Sequence, residues 1–254
     1  MLSKLKEYSF LFSELVKRDF KKKYKRTYLG MVWSVLSPLL TLLVMRLVFT
    51  QFFGNSIEHY TTFLFCGNII FAFFSDATSG GMGSLMSNAD IFSKVNVPKY
   101  LFLFSRTITS LINFGLTFIV FLFFCLLDGI TFTPAFFALL IPITCLIVFN
   151  VGMGLILSAL FMFFRDIQYL WTVFTQLLMY MSAIFYNPAQ FGPLEKLFYI
   201  NPIYCYVKYF RIAVIEGYVP SFGITFLCIF YAAVAFTVGA LIYKKKNHKF
   251  LYYV

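Results

Sequence analysis

The chain has 254 residues, of which 61% are apolar and only 12% charged, and its mean hydropathy is +0.83. A soluble globular chain carries roughly 45–50% apolar and about 25% charged residues, so the polar surface here is too small to clothe a water-soluble sphere and the natural solvent is lipid. The net charge of +11 admits nucleic acid, an anionic membrane surface or simple topology as its reason, and the placement of the bases decides among them.

Residues 1–28 carry nine Lys or Arg. Aromatic or apolar side chains recur every four positions at Tyr8, Phe12, Val16, Phe20, Tyr24 and Tyr28, with Leu5, Leu11 and Leu15 alongside, which predicts an amphipathic helix. Such a helix lies in a membrane interface with its lysines near anionic headgroups, each worth about 1 kcal/mol; a soluble helix packed on a partner is the alternative. A basic block abutting a span is explained by orientation, so no nucleic acid is expected as a partner. The block is about as long as a whole signal peptide, and the apolar run after it is too long for an h-region and shows no small-residue cleavage site.

A bilayer core roughly 30 Å thick needs about 20 apolar residues per helix, because backbone amides cannot stay unpaired in hydrocarbon. Six stretches qualify: 29–53, 61–78, 101–127, 135–163, 168–186 and 222–243, punctuated by Gly54-Asn55, Asp128-Gly129 and Asn187-Pro188. Lys and Arg collect on the cytoplasmic side. With the N-terminus inside, that side takes the nine early bases, three in 79–106, Arg165, and Lys244, Lys245, Lys246 and Lys249. The opposite segments hold only Lys196, Lys208 and Arg211. Six spans put both basic termini on one side, so span count and charge agree. The expectation is an all-α integral membrane protein of a single domain: an interface helix over 1–28, a six-span core over 29–243 and a cytoplasmic tail over 244–254.

Two connecting segments are too apolar for free loops. Residues 79–98 begin glycine-rich and continue as a short helix that Ser87 or Asn88 would cap, that Asp90 suits at its positive end, and that Pro98 stops. Its Leu85, Ile91, Phe92 and Val95 need a cover, either the N-terminal helix or another protein. Residues 187–221 read as half a membrane segment, cut by Pro188, Pro193, Pro202 and Pro220 into pieces too short to cross. Two re-entrant helices between the fifth and sixth spans are expected there.

Enzymatic and ion-coupled chemistry have little to stand on. No G-x-x-x-x-G-K-[ST] occurs, and Gly80-Gly81-Met82-Gly83 lacks the lysine of a P-loop, so no ATP site, cofactor or metal is expected in this chain. Cys66, Cys125, Cys145, Cys205 and Cys228 form no C-x-x-C pair, and His59 and His248 read as solvated. Within the spans, Asp76 is either interfacial or functional. Arg46 either snorkels outward or meets an anion on a protein-lined path.

Arg18-Asp-Phe-Lys-x-x-Tyr-x-x-x-x-Leu29-Gly30-x-x-Trp33 running into Pro38, then Asn88-Ala-Asp-Ile-Phe-Ser-Lys-Val-Asn-Val-Pro98, then Phe164-Arg165-Asp166-Ile167, and finally Asn201-Pro202-Ile203 with Arg211, stand in order along the chain. This series resembles the bacterial type-two ABC exporter permeases that move O-antigen, capsular polysaccharide and teichoic acid, and the likeness spans almost the whole chain. It implies a homodimer in the bacterial inner membrane, each chain resting on a separate cytoplasmic ATPase that uses ATP and Mg, and a lipid-linked glycan as cargo. A drug or small-lipid exporter of the same architecture is the alternative. By this resemblance 87–98 is the coupling helix, with Asn88, Asp90, Ile91, Phe92, Lys94 and Val95 facing the ATPase, and Phe92→Asp is expected to uncouple hydrolysis from export. The 187–221 pieces would cap the outer mouth, and Arg46, Tyr180, Tyr186, Tyr204 and Tyr206 are the path candidates, since aromatic faces stack on sugar rings and tyrosine hydroxyls hydrogen-bond to them.

Overall fold

The computed structural model describes residues 8–24, 30, 32–53, 57–95, 97–247 and 250, and every regular element among them is helical. Helix α1 spans Ser9–Tyr24 and α2 Val32–Phe53; α3 follows over Tyr60–Gly83 and a short α4 over Ala89–Lys94. Then come α5 (Tyr100–Leu127), α6 (Leu140–Phe163, entered through a 3₁₀ turn at Pro134–Leu139) and α7 (Ile167–Met181). The chain closes with a 3₁₀ stretch at Pro188–Leu194, α8 (Glu195–Phe198), α9 (Pro202–Arg211) running into a π turn at Ile212–Glu216, and α10 (Phe222–Lys246).

Among the described residues, five helices are long and apolar enough to cross a membrane: α2, α3, α5, α6 with its lead-in, and α10. The stretch expected as a fifth span forms α7, which is only 15 residues long. It stops because Ala183 takes a left-handed conformation, φ +50°, directly after the C-cap Ser182. At 1.5 Å per residue α7 is about 22 Å long.

Helix α3 is the centre of the bundle, with 67% of its span buried against only 6% for α2. It packs on α5 and α6 along its length, and on α9. The most extensive contact joins α6 to α10. There the backbones nearly touch: a Cβ on Gly152 would lie 2.4 Å from the Ala235–Phe236 peptide, and one on Gly239 2.4 Å from the Gly152 carbonyl oxygen. Ala235 and Gly239 are four apart on α10, a small-xxx-small face. In lipid, where burial supplies no hydrophobic drive, such close approach is how helices gain dispersion energy.

Two apolar clusters fill the interior. The larger runs through the spans around Phe65, Phe74, Phe121 and Phe149. The smaller joins Leu15 of α1, Leu85, Phe92, Phe102, Met162, Tyr243 and Phe250 at one end of the bundle. Of the expected N-terminal stripe, Tyr8, Leu11, Phe12, Val16 and Phe20 are half-buried and Leu15 is buried, whereas Leu5, Tyr28 and the Tyr24 side chain lie outside the described residues. Residues 1–7 and 251–254 also lie outside them, as do His248 and Lys249.

Because both glycines meet backbone atoms that cannot turn aside, Gly152→Leu and Gly239→Leu are expected to force α6 and α10 apart. The expected cost is about 1–3 kcal/mol each, read as a lower melting temperature of the detergent-solubilised protein. Gly83→Leu, whose Cβ meets nothing within 4 Å, is the control and should melt with the parent.

Candidate functional site

At the α1 end, the segment between α3 and α5 is built by polar contacts as well as by its apolar cluster. Asn88 is the N-cap of α4, yet its side chain makes no cap bond. Its amide nitrogen instead donates to the Ser84 carbonyl at 2.7 Å, and its amide oxygen accepts from Arg18 Nη2 at 2.7 Å. Arg18 also donates to Asp19 at 2.8 Å, and Ser105 of α5 donates to the other Asp19 oxygen at 3.1 Å. Asp19 is buried. This carboxylate therefore ties α1 to α4 through Arg18 and to α5 directly.

The other side of the same segment is closed by the chain's end. The Lys99 ammonium donates to the Asn247 carbonyl at 2.9 Å and stands 5.6 Å from the Phe92 ring centroid and 5.7 Å from that of Phe250. Burial pushes the Lys99 ammonium below the usual lysine range. Lys246 sits over the Phe163 ring at 5.4 Å. The result is a knot that clamps α4 to α1, to the roots of α5 and α6, and to the root of α10.

Within the knot the six expected coupling residues divide by direction. Asn88 and Phe92 are buried in the chain's own interior, Ile91 is half-buried, and Asp90, Lys94 and Val95 are exposed, Val95 by 54%. Phe92 is thus a strut beneath α4, packed 6.1 Å from Phe102 between ring centroids, and a charge placed there would disturb the knot itself. The outward test position on this helix is Val95.

At the far end, where two re-entrant helices are expected over 187–221, the chain forms the 3₁₀ stretch Pro188–Leu194, the short α8 and α9 with its π turn. Asn201 caps α9 by accepting from Ile203 N at 2.9 Å, Pro202 occupies the first turn, where its missing N–H costs nothing, and the Asn201 amide reaches Ser182 at 3.0 Å. Asn187 caps the piece before it in the same way, accepting from Ala189 N at 3.1 Å. Arg211 lies across the turn after α7. It donates to the carbonyls of Ala183 at 2.8 Å, Ile184 at 2.9 Å and Phe63 at 3.3 Å, with its guanidinium 3.4 Å from the Phe63 ring centroid. Gly67 leaves the space for this: a Cβ there would lie 2.9 Å from Ile184 and 3.3 Å from Arg211.

The path candidates are spread over this end rather than gathered. Tyr204 and Tyr206 are fully buried, Tyr206 donating to the Cys228 carbonyl at 2.9 Å. Tyr180 is 60% exposed, and Tyr186, half-buried, donates to the Tyr180 carbonyl at 2.9 Å. Arg46 is exposed on α2. Asp76, half-buried, lines a niche of ≈200 Å³ between α2, α3 and α5 with Ser37, Ser110, Asn113 and Thr117. Among the described residues no group of His, Cys, Asp and Glu could hold a metal ion.

Sequence reasoning missed the Asp19 bridge and the Phe250 closure. Asp19 follows Leu15 by four residues, hence lies on the same buried face of α1, and a carboxylate on an apolar stripe is a signal that could have found it. Phe250 follows a lysine cluster and carries no comparable mark.

A family model described as "ABC-2 type transporter" matches residues 11–215. The chain belongs to the ABC-2 type transporter family. The O-antigen export system permease protein RfbA of Klebsiella pneumoniae is 27% identical over 249 residues, 95% of either chain. The RfbA protein of Myxococcus xanthus is 30% identical over 172 residues, 67% of this chain and just under two thirds, 65%, of its own length. The polysialic acid transport protein KpsM of Escherichia coli is 23% identical over 240 residues, 92% of either chain. In this ABC-2 chain the matched region takes in α1, the knot segment and Arg211, so both ends of the bundle belong to the family domain.

Removing Arg211 leaves the Ala183 and Ile184 carbonyls without their donor inside an apolar region. Arg211→Ala is expected to lower stability by roughly 3 kcal/mol or more, and Arg211→Lys to recover only part, because an ammonium cannot fork across three acceptors. Melting of the purified protein followed by tryptophan fluorescence reads both; an Ala variant as stable as the parent would show that the carbonyls find water instead.

Proposed function

We propose that this chain is the membrane-spanning subunit of an ATP-driven exporter that carries a lipid-linked polysaccharide, of the O-antigen, capsule or teichoic acid type, across the bacterial inner membrane. The observation that carries the reading is likeness to named polysaccharide export permeases of three organisms, over 67% of the chain in one and 92–95% in the other two. Those relatives favour glycan over the drug or small-lipid alternative. The chain itself is a permease, and the motor is a separate ATPase of the ABC type, since no P-loop sequence is present.

The reading has six crossings, with both termini cytoplasmic. Leu15, before the first span, and Phe250, after the last, share one cluster, and a chain that starts and finishes at one end of a bundle crosses an even number of times. On this reading α7 is the fifth crossing in chain order, the one that raises five to six, completed by the turn at residues 182–186. The basic termini support placing that end inside the cell.

The ATPase docks on the exposed surface of the knot, at Asp90, Ile91, Lys94 and Val95, while Asn88 and Phe92 hold that surface in place. The working unit is a homodimer. Helix α2 is buried over only 6% of its span, which leaves nearly all of its apolar length open to lipid or to a second copy. Arg46 on this uncovered helix then faces either the second copy or an anionic cargo, and the cost of a bare guanidinium in hydrocarbon favours both over lipid. Tyr180 and Tyr186 flank the same end of the path. Tyr206, being enclosed, reaches cargo only if α9 moves, whereas Tyr204, though buried, borders a cavity beside α9.

Val95→Asp is expected to leave expression and melting unchanged while reducing cargo-dependent ATP hydrolysis in the assembled complex at least about tenfold, the effect of burying an unpaired charge at an interface. Full coupling in this variant would place docking elsewhere. For the cargo, deletion of the gene followed by chemical analysis of surface glycan and of lipid-linked precursor is decisive. Precursor is expected to accumulate inside as surface polymer disappears, and an unchanged surface glycan would remove the polysaccharide reading.

A further inference from the structure

At the end of the bundle away from α1, a cavity of ≈260 Å³ opens between the first turn of α3, the 187–195 segment, and α9 with its π turn. Its wall carries both signs of charge. Arg211, only 7% exposed, lines it and has no carboxylate partner among the described residues. Four of its five N–H groups go to carbonyl oxygens, which leaves one Nη1 hydrogen uncommitted among those residues. Tyr204 also lines the cavity, its buried hydroxyl near Lys208 but meeting no partner at hydrogen-bond geometry among the described residues. Lys208 stands 5.8 Å from the Tyr204 ring centroid, held by Glu195 at 2.7 Å. Glu58 and Glu216, both exposed, complete the wall on the solvent side.

A bound group that completes this set puts an anionic oxygen against Arg211 and Tyr204 and a cation against Glu58 and Glu216. A polyanion would meet three carboxylates, and a simple cation would meet Arg211 and Lys208. A zwitterion satisfies both ends. The segment that gives Pro188 and Glu195 to the wall also exposes Phe191, Leu194, Leu197 and Ile200. A soluble zwitterion would leave that apolar ledge bare, whereas acyl chains would cover it.

We propose that the cavity is a headgroup site for a zwitterionic phospholipid of the phosphoethanolamine type. The phosphate lies at the Arg211–Tyr204 floor, the ammonium lies between Glu58 and Glu216, and the acyl chains run along the ledge. Such a lipid fixes the 187–216 unit at headgroup depth. The inference rests on a membrane location for this unit and not on the identity of any cargo.

Native mass spectrometry of the full-length protein, released from mixed micelles holding equal amounts of phosphatidylethanolamine and phosphatidylglycerol, tests it. One phosphatidylethanolamine per chain is expected to be retained about fivefold over phosphatidylglycerol, the ratio that one exposed ion pair supplies. Double substitution Glu58→Gln with Glu216→Gln should bring that ratio to about one, and Tyr204→Phe should lower retention of both lipids. Melting in lipid-free detergent serves as the folding check for each variant. Equal retention of the two lipids by the parent would overturn the proposal, as would a preference that survives the double substitution. Displacement of the lipid by inorganic phosphate would mark a free-anion site and overturn it equally.

Discussion

A peptide carbonyl facing hydrocarbon without a donor costs several kcal/mol, and the whole far end of this molecule is organised around avoiding that cost. A straight span satisfies its own backbone. A chain whose helices are broken does not, and residues 182–216 break more than once. Side chains supply the missing partners: Arg211 for Ala183 and Ile184, Tyr60 for Phe185 at 2.9 Å, and Tyr231 for Tyr199 at 2.8 Å. Each of these donors lies on a different element from its acceptor, so the bonds that satisfy the turns also fasten the short pieces to α3 and α10. A guanidinium is the suitable head for the central task, because it stays charged, forks across several acceptors and stacks on the Phe63 face at once.

The α1 end solves another problem. Its task is to hold a six-residue helix, Ala89–Lys94, in place. A helix of that length has no stability of its own. Asp19, Arg18, Asn88 and Ser105 grip it from one side, while Phe102, Lys99 and Phe250 grip it from the other. On the proposed docking of an ATPase there, a push on the exposed Val95 surface would be delivered to the roots of α5, α6 and α10 rather than absorbed by a loop. The tight α6–α10 crossing at Gly152 and Gly239 lies along the same route and gives it a stiff continuation into the bundle.

Much of this was legible in the residues, for reasons that differ by element. Long apolar runs announced α2, α3, α5, α6 and α10, because span length is set by bilayer thickness and not by tertiary context. The prolines and asparagines of 187–221 announced broken helices, and both Asn-Pro pairs do cap. The early end of α7 was not legible: the apolar run continues through Ala183-Ile184-Phe185, and nothing local requires a left-handed alanine there. It follows from the reach of Arg211, twenty-eight residues away in sequence from Ala183. The direction of Phe92 was also hidden, since a short helix with several apolar residues does not say which of them face its own protein and which face a partner. The burial of Tyr204 and Tyr206 was missed likewise, because tyrosines on a ten-residue amphipathic helix suit an aqueous mouth and a core equally well.

The shortness of α7 has a mechanical meaning on the export reading. About 22 Å of helix cannot span a core roughly 30 Å thick, so about 8 Å of depth beside α7 is occupied by the 182–186 turn and the pieces that follow it. Everywhere else in the bundle the barrier to a polar chain is a full-length helix whose backbone must stay paired. Beside α7 the barrier is a set of short elements joined to the spans by a handful of side-chain bonds, with Arg211 carrying the largest share. Opening a path there requires displacing that unit as a body, which keeps its internal caps at Asn187 and Asn201 intact and exchanges only its outer bonds. A polar cargo with hydroxyls and a charged head is itself a source of replacement donors and acceptors, so its arrival lowers the cost of the very bonds that must part.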